Sequence, residues 1–237
     1  MLNTQTTVGD FVAWRPGLSR VFRDRGIDFC CGGKRSLADV CQEKGLDAGS
    51  LLQTLLASPP APADGPCLTD LSLTSLCDLI EKTHHAYVKA ELPRLSELAG
   101  KVAKAHGSNH PEMRQVHQLF LAVREELESH LAKEERILFP AIRGLEAGDA
   151  MACGHCGSVS NPIRVMEMEH DSAGAALEQL RRLTGNFTPP ADACGSFRAL
   201  LDGWREFEEN LHQHVHKENN ILFPRAVVLE TRLRHAP

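Results

Sequence analysis

His130-Leu131-Ala132-Lys133-Glu134-Glu135-Arg136-Ile137-Leu138-Phe139-Pro140 and His214-Val215-His216-Lys217-Glu218-Asn219-Asn220-Ile221-Leu222-Phe223-Pro224 are one phrase written twice, offset by 84 residues (214 − 130, 224 − 140). Each copy holds H-x-x-x-E and the tail Ile-Leu-Phe-Pro. At i and i+4 two side chains sit one helical turn apart on the same face. Each helix therefore points one imidazole and one carboxylate in a common direction. Two single histidines, His85 and His170, recur at nearly the same offset (170 − 85). A helical hairpin used twice would give a bundle with pseudo-twofold symmetry, each half supplying equivalent residues to the centre. A solvated helix face is a fair reading of one H-x-x-x-E, but two copies with identical tails and matching single histidines argue against it.

The chemistry of the set is specific. His85, His130, His170, His214, Glu134 and Glu218 are six donors, too many for one tetrahedral zinc. Two carboxylates between two His pairs suit two metal ions bridged by Glu134 and Glu218. Mixed nitrogen and oxygen ligation in a helical bundle points first to iron, then to manganese. Burying these carboxylates with no cation would be costly. His84 competes with His85, since neighbours on a helix point about 100° apart; the spacing to His130 favours His85. Pro140 and Pro224 lack an N–H and are expected to kink or end their helices.

Working outward, four long helical patterns run over about 71–106, 111–145, 162–183 and 192–233, with short connections that suggest an up-down-up-down bundle. Ser58-Pro59-Pro60-Ala61-Pro62-Ala63-Asp64-Gly65-Pro66 breaks the chain, because prolines at this density favour extended backbone. The expected organisation is a small helical domain over 1–57, a linker over 58–69 and the bundle over 70–237. Ser36 and Asp47 read as N-caps in the small domain, and Gly26 as a helix end. With 237 residues, 42% apolar and 24% charged, the composition is that of a globular chain, neither disordered nor fibrous. Aromatic residues at 5% and few β-branched runs favour helices over sheets. No apolar run approaches the ~18 residues of a membrane span. The net charge of −5, without a basic stripe, disfavours nucleic acid as a partner. The start lacks the pattern of an export signal, which predicts a cytoplasmic protein.

Twelve His and eight Cys stand out. In a reducing compartment cysteines serve more often as metal ligands, redox groups or core residues than as disulfides. Cys30 and Cys31 are adjacent, so a bond between them would be strained. They read either as a reactive pair handling nitric oxide, metal or electrons, or as a tight turn with two structural thiols. Cys153-Gly154-His155-Cys156 reads as a redox dithiol or half a metal site, or as an incidental loop. Cys41, Cys67, Cys77 and Cys194 are isolated. Glu126, one turn before His130, and Glu169, beside His170, read either as carboxylates that orient an imidazole or relay protons, or as simple surface charge. His117, His212 and His216 read as surface groups or neighbours of ligands, and His106, His110 and His235 as solvated termini.

Asp28-Phe29-Cys30-Cys31-Gly32-Gly33-Lys34, Glu91-Leu92-Pro93, Met166-x-x-Glu169-His170-Asp171 and both H-x-x-x-E segments together resemble a known family along nearly the whole chain. The helical part resembles a hemerythrin-like domain, and the whole resembles the iron-sulfur cluster repair di-iron proteins, the repair-of-iron-centres family. The resemblance implies an all-α fold, a hemerythrin-like four-helix bundle with a small N-terminal domain. It implies two iron ions, oxo- or hydroxo- and carboxylate-bridged, on His85, His130, Glu134, His170, His214 and Glu218. Cys30, Cys31, Glu126 and Glu169 are then the candidate catalytic residues. The implied role is repair of iron-sulfur proteins damaged by nitric oxide or oxidation, by iron supply or by nitric oxide reduction, in a cytoplasmic homodimer. The alternative is an oxygen- or iron-sensing module that does no chemistry.

Overall fold

The structure, a computed structural model, describes residues 2–59 and 68–235. Residues 60–67, most of the expected linker with Cys67, lie outside the described residues. The fold is all-α, and among the described residues the one extended pairing is an isolated bridge between Thr7 and Ser36. In chain order the helices are α1 (Val8–Trp14), α2 (Ser19–Arg23), α3 (Leu37–Lys44), α4 (Ala48–Ala57), α5 (Leu73–Ile80), α6 (Ala86–His106), α7 (Glu112–Lys133), α8 (Phe139–Glu146), α9 (Ser160–Leu183), α10 (Gly195–Lys217) and α11 (Phe223–Arg234). Single π-turns join α5 to α6 (Glu81–His85), α7 to α8 (Glu134–Leu138) and α10 to α11 (Glu218–Leu222). No helix among the described residues is long and apolar enough to cross a membrane.

The chain groups into two compact units, one of residues 79–141 and 153–211, the other of residues 1–78, 142–152 and 212–237. In the first unit α6 packs on α7 and α7 on α9, and α10 carries the buried residues of the fourth side. The reason is a seam written in alternating steps of three and four. In α7 the buried stripe is Met113, Val116, Phe120, Val123, Leu127 and His130. In α9 it is Ile163, Met166, His170, Ala173, Leu177 and Leu180. In α10 it is Phe197, Leu200, Trp204, Phe207 and Leu211. That spacing keeps one face of each helix on the bundle axis. Phe120 anchors the seam, with ring centroids 5.5 Å from Trp204 and 5.7 Å from Phe207. Burying each such ring stabilises the fold by roughly 1.5–3 kcal/mol.

The turn from α9 to α10 is strained. Asn186 and Phe187 take φ of 59° and 54°, uncommon for any residue but glycine and exceptional for a bulky one. The Phe187 ring is buried, its N–H donates to Thr184 Oγ1 (3.2 Å), and its carbonyl accepts from Arg205 (2.7 Å). These contacts hold the turn against its strain.

The second unit gathers α1 to α4, most of α5, the end of α8, the last residues of α10, and α11. Ser36 and Asp47 do cap α3 and α4, accepting from the amides of Asp39 (3.1 Å) and Ser50 (2.7 Å). Gly26 closes the turn after α2 with φ of 62°. Glu146 caps α5 from a distance, accepting from the amides of Leu73 (2.7 Å) and Thr74 (2.8 Å). A carboxylate there satisfies amides with no helical partner and meets the positive end of the helix.

Candidate metal centre

In the first unit the seam residues give way to polar side chains at one end. The stripe of α7 steps from Leu127 to His130 and then to Glu134; that of α6 runs back from Leu92 through Val88 to His85. Positions that elsewhere carry leucine or phenylalanine thus carry imidazole and carboxylate, and all are buried. Glu134 is 0% exposed. Its Oε2 lies 3.3 Å from His85 Nε2 and its Oε1 3.3 Å from His130 Nε2. His170 Nε2 lies 3.0 Å from His130 Nε2. The donor atoms of His130, Glu134 and His170 all fall within 4.8 Å of one another.

The outer nitrogens decide what the inner ones can do. His85 Nδ1 lies 2.8 Å from Glu135 Oε1, and His130 Nδ1 lies 2.9 Å from Glu169 Oε2. A carboxylate only accepts, so each Nδ1 carries the proton, and in the neutral ring Nε2 presents a lone pair inward. Each glutamate is held in turn by a lysine: Lys89 donates to Glu135 (2.6 and 2.7 Å) and Lys133 to Glu169. Burial pulls both carboxyls up, but Lys89 and His85 outweigh it at Glu135, and Lys133 and His130 outweigh it at Glu169, so both stay below the usual carboxylate range. Phe139 stacks on His85 at 5.5 Å and 19°, fixing the ring plane. The result is Nε2 lone pairs converging on a buried anionic oxygen pair: acceptors facing acceptors. That arrangement calls for a cation among them, so the residues present fit a metal ion.

The second unit carries the other copy of the phrase. His214 and Glu218 are both 0% exposed, with His214 Nε2 2.9 Å from Glu218 Oε1. They continue the α10 seam beyond Leu211 in the same steps of three and four. In both copies the glutamate opens a π-turn, closed by Phe139 N–H to Glu134 O and by Phe223 N–H to Glu218 O. The His85 turn is built the same way, with Ala86 N–H bonding Glu81 O. Such turns insert one residue into a helix and recur at functional sites.

Also in this unit is the Cys30–Cys31 turn. Asp28 Oδ1 accepts from the amides of Cys30 (2.9 Å) and Cys31 (3.1 Å), and Oδ2 from that of Gly32 (2.8 Å). The Cys30 thiol donates to Asp28 Oδ1 at 3.1 Å. Its hydrogen bond with Cys31, its burial and the charges of Cys31 and Asp28 together hold this thiol well above its ordinary range. Asn220 donates to the carbonyls of Phe29 (3.3 Å) and Cys30 (2.9 Å), and the Phe29 ring packs on His212 and His216. The turn therefore sits on the end of α10 and the π-turn after it, the stretch that carries His214 and Glu218.

Several expectations need correction. Glu126 does not orient His130: it is exposed and accepts from Ser172 at 3.4 Å, because position 126 lies off the buried seam. The prolines do not end their helices; α8 and α11 run on through Pro140 and Pro224, which lie just past the π-turns, where the ladder has shifted by one residue. His216 is no surface group. It is 0% exposed, its Nδ1 lies 3.3 Å from Phe29 O, and burial, with Lys217 adding to it, depresses it to about 3. His110 is no free terminus: its Nε2 pairs with Asp192 (2.9 Å) and its Nδ1 with Glu112 (3.3 Å). Cys194 is not isolated, lying 3.1 Å from His106 Nε2. Of the two neighbours, His85 meets Glu134, as the spacing favours, and His84 Nδ1 lies 3.1 Å from Asn210 Oδ1. Cys153 and Cys156 form no disulfide and join no metal-capable group among the described residues. Missed altogether were Glu135, Lys89, Lys133 and Asp28. The first three were marked by lying within one turn of a ligand on its own helix, and Asp28 by preceding the thiols by two residues.

Comparison with known proteins agrees with this geometry. Residues 80–226 match the profile of the hemerythrin HHE cation binding domain, and residues 4–58 that of a domain of unknown function (DUF542). A probable iron-sulfur cluster repair protein of Haemophilus influenzae is 40% identical over 214 residues, 90% of this chain and 92% of its own. The iron-sulfur cluster repair protein YtfE of Yersinia pseudotuberculosis is 39% identical over 212 residues, with the same coverage of 90% and 92%. That of Yersinia pestis is 38% identical over 212 residues.

Proposed function

Since the chain belongs to the hemerythrin HHE family, and along most of its length to that of the iron-sulfur cluster repair proteins, we propose that it repairs damaged iron-sulfur clusters by supplying iron from a two-iron centre. The ligands would be His85, His130, His170 and His214, with Glu134 and Glu218 each shared by both ions. The observation that carries this reading is the buried Glu134 carboxylate, met by two Nε2 atoms at 3.3 Å while the far side of each ring is locked by a Glu–Lys pair. When bound, the irons would supply Lewis acidity and one-electron exchange. The chain's own residues do the rest. Glu135 and Glu169 hold the protons on Nδ1, which keeps Nε2 basic and the rings in place. Lys89 and Lys133 hold those carboxylates. The seam below excludes water.

Nitric oxide would be the candidate small ligand of a centre held by these six side chains. Cys30, Cys31 and Glu169 are the candidate reactive residues beside the metal ligands. Among the described residues seven cysteines form no disulfide, which supports a reducing, cytoplasmic setting; a homodimer completes the reading.

The test incubates iron-loaded protein with a cluster-damaged enzyme in the presence of a strong chelator. Recovery of that enzyme's activity, matched by loss of iron from this protein, is expected. Recovery no better than with free iron would reduce the chain to a binding or sensing module. Catalytic nitric oxide consumption with full retention of iron would make it a reductase instead.

A further inference from the structure

Outside the His–Glu set, donor side chains gather at the turn after α2. Among the described residues, three groups bring at least three metal-capable donors within 4.8 Å, and one of them is Asp28, Cys30 and Cys31. We infer that these three side chains form a second metal site, which takes one thiophilic divalent cation on two thiolates and a carboxylate oxygen.

The turn is built for this and poorly built for a disulfide. Consecutive Cα atoms lie about 3.8 Å apart, below the roughly 4.4 Å that a disulfide needs. The pair therefore stays a dithiol and presents two soft donors side by side. Asp28 is fixed by three backbone amides at 2.8–3.1 Å, so its oxygens hold their place without help from the thiols. The backbone is locked from the other side. Asn220 ties down the carbonyls of Phe29 and Cys30. Gly33 fits because a Cβ there would come within 2.4 Å of Asn220 Oδ1 and 2.6 Å of Phe29 O. A donor set already held in position loses little freedom on binding, which favours a metal.

The electrostatics run the same way. Without a cation, a second sulfur and a carboxylate beside Cys30 keep it protonated, its S–H directed at Asp28 Oδ1. A divalent ion reverses the sign of each of those interactions. It replaces the two thiol protons, two metal–sulfur bonds forming as two S–H bonds break, and both protons pass to solvent. Three protein donors leave the ion's fourth position open, so this site suits an ion in transit, whereas closed four-ligand sites store theirs. That the ion is Fe(II) on its way to a client rests on the iron-supply reading above; that the turn binds an ion does not.

Cobalt(II) alone, added to the iron-loaded full chain, tests this, because thiolate–cobalt charge transfer in the near ultraviolet is absent from nitrogen and oxygen ligation. The expected result is one such band saturating at one cobalt per chain, with about two protons released per ion in a pH-stat titration. Cys30→Ser and Cys31→Ser should each abolish the band while leaving helicity and iron content unchanged. Asp28→Asn should weaken cobalt binding about tenfold or more. No band in the parent chain, or a band that survives in both serine variants, would overturn the site. A band with no iron transfer in the repair assay would keep the site and sink the iron-supply reading.

Discussion

Glu169 and Glu126 look alike in the sequence, each beside or one turn from a metal-type histidine, yet they differ in what they touch. Glu169 holds His130 Nδ1 at 2.9 Å, whereas Glu126 meets a serine. Removing an orienting carboxylate typically costs 10–100-fold in metal affinity. Glu169→Gln should therefore weaken iron retention by about that factor in a chelator competition, and Glu126→Gln should leave it unchanged; equal effects would dissolve the distinction. At the opposite end of α6 the pair His110–Asp192 titrates in a predictable sense. A hydrogen bond from His110 first, then its charge, lowers Asp192, and Asp192 raises His110. The carboxylate's share of this contact is present above its unfolded pKa and is lost as pH falls through its folded value. The imidazole's share is present below its unfolded pKa and is lost as pH rises through its folded value. The contact therefore holds in the window between. Proton NMR titration should find His110 above the ordinary histidine value in the parent and lower in Asp192→Asn, where Glu112 alone still raises it; an unmoved His110 would refute the pairing.

At the scale of the helix, the seam explains why the ligand candidates are where they are. Buried positions in α7 and α10 advance by three and four, and the histidine and glutamate of each copy are the last steps of that series. The repeated phrase exposed the six ligand candidates, and helical periodicity exposed the four long helices. What periodicity alone conceals is the π-turn: the ladder shifts by one residue at Glu81–His85, Glu134–Leu138 and Glu218–Leu222, where a helix and a helix with one extra residue share the same apolar pattern. The lysines and Glu135 lie within one turn of a ligand candidate in the sequence, but their partners were hidden, because a contact between helices leaves no fixed spacing. The surface reading of His216 failed because its neighbour Phe29 lies 187 residues away. The seam also separates folding from metal binding. Phe120→Ala removes the ring that meets Trp204 and Phe207 and should cost about 3–5 kcal/mol. Calorimetry should show the lower Tm in both the iron-loaded and the iron-free protein; a loss of iron with no loss of stability would contradict the seam.

For the molecule as a whole, a buried carboxylate set is a burden until a cation arrives. Glu134 and Glu218 are both fully buried, and a ligand that binds only the folded state stabilises it by about 4 kcal/mol at a thousandfold excess over Kd. Stripping the metal should therefore lower Tm. Glu134→Leu, which replaces a buried acid by an apolar group of similar size, should melt higher than the iron-free parent while failing to load iron; a variant that melts lower and still binds iron would reverse that argument. Repair and sensing both presuppose that the repeated phrase holds metal. Iron analysis of the purified chain, with the parent compared to Glu134→Ala and Glu218→Ala, settles this most directly. About two irons per chain in the parent and a sharp fall in each variant are predicted from the shared carboxylates; two irons retained in both variants, or one zinc in their place, would contradict it.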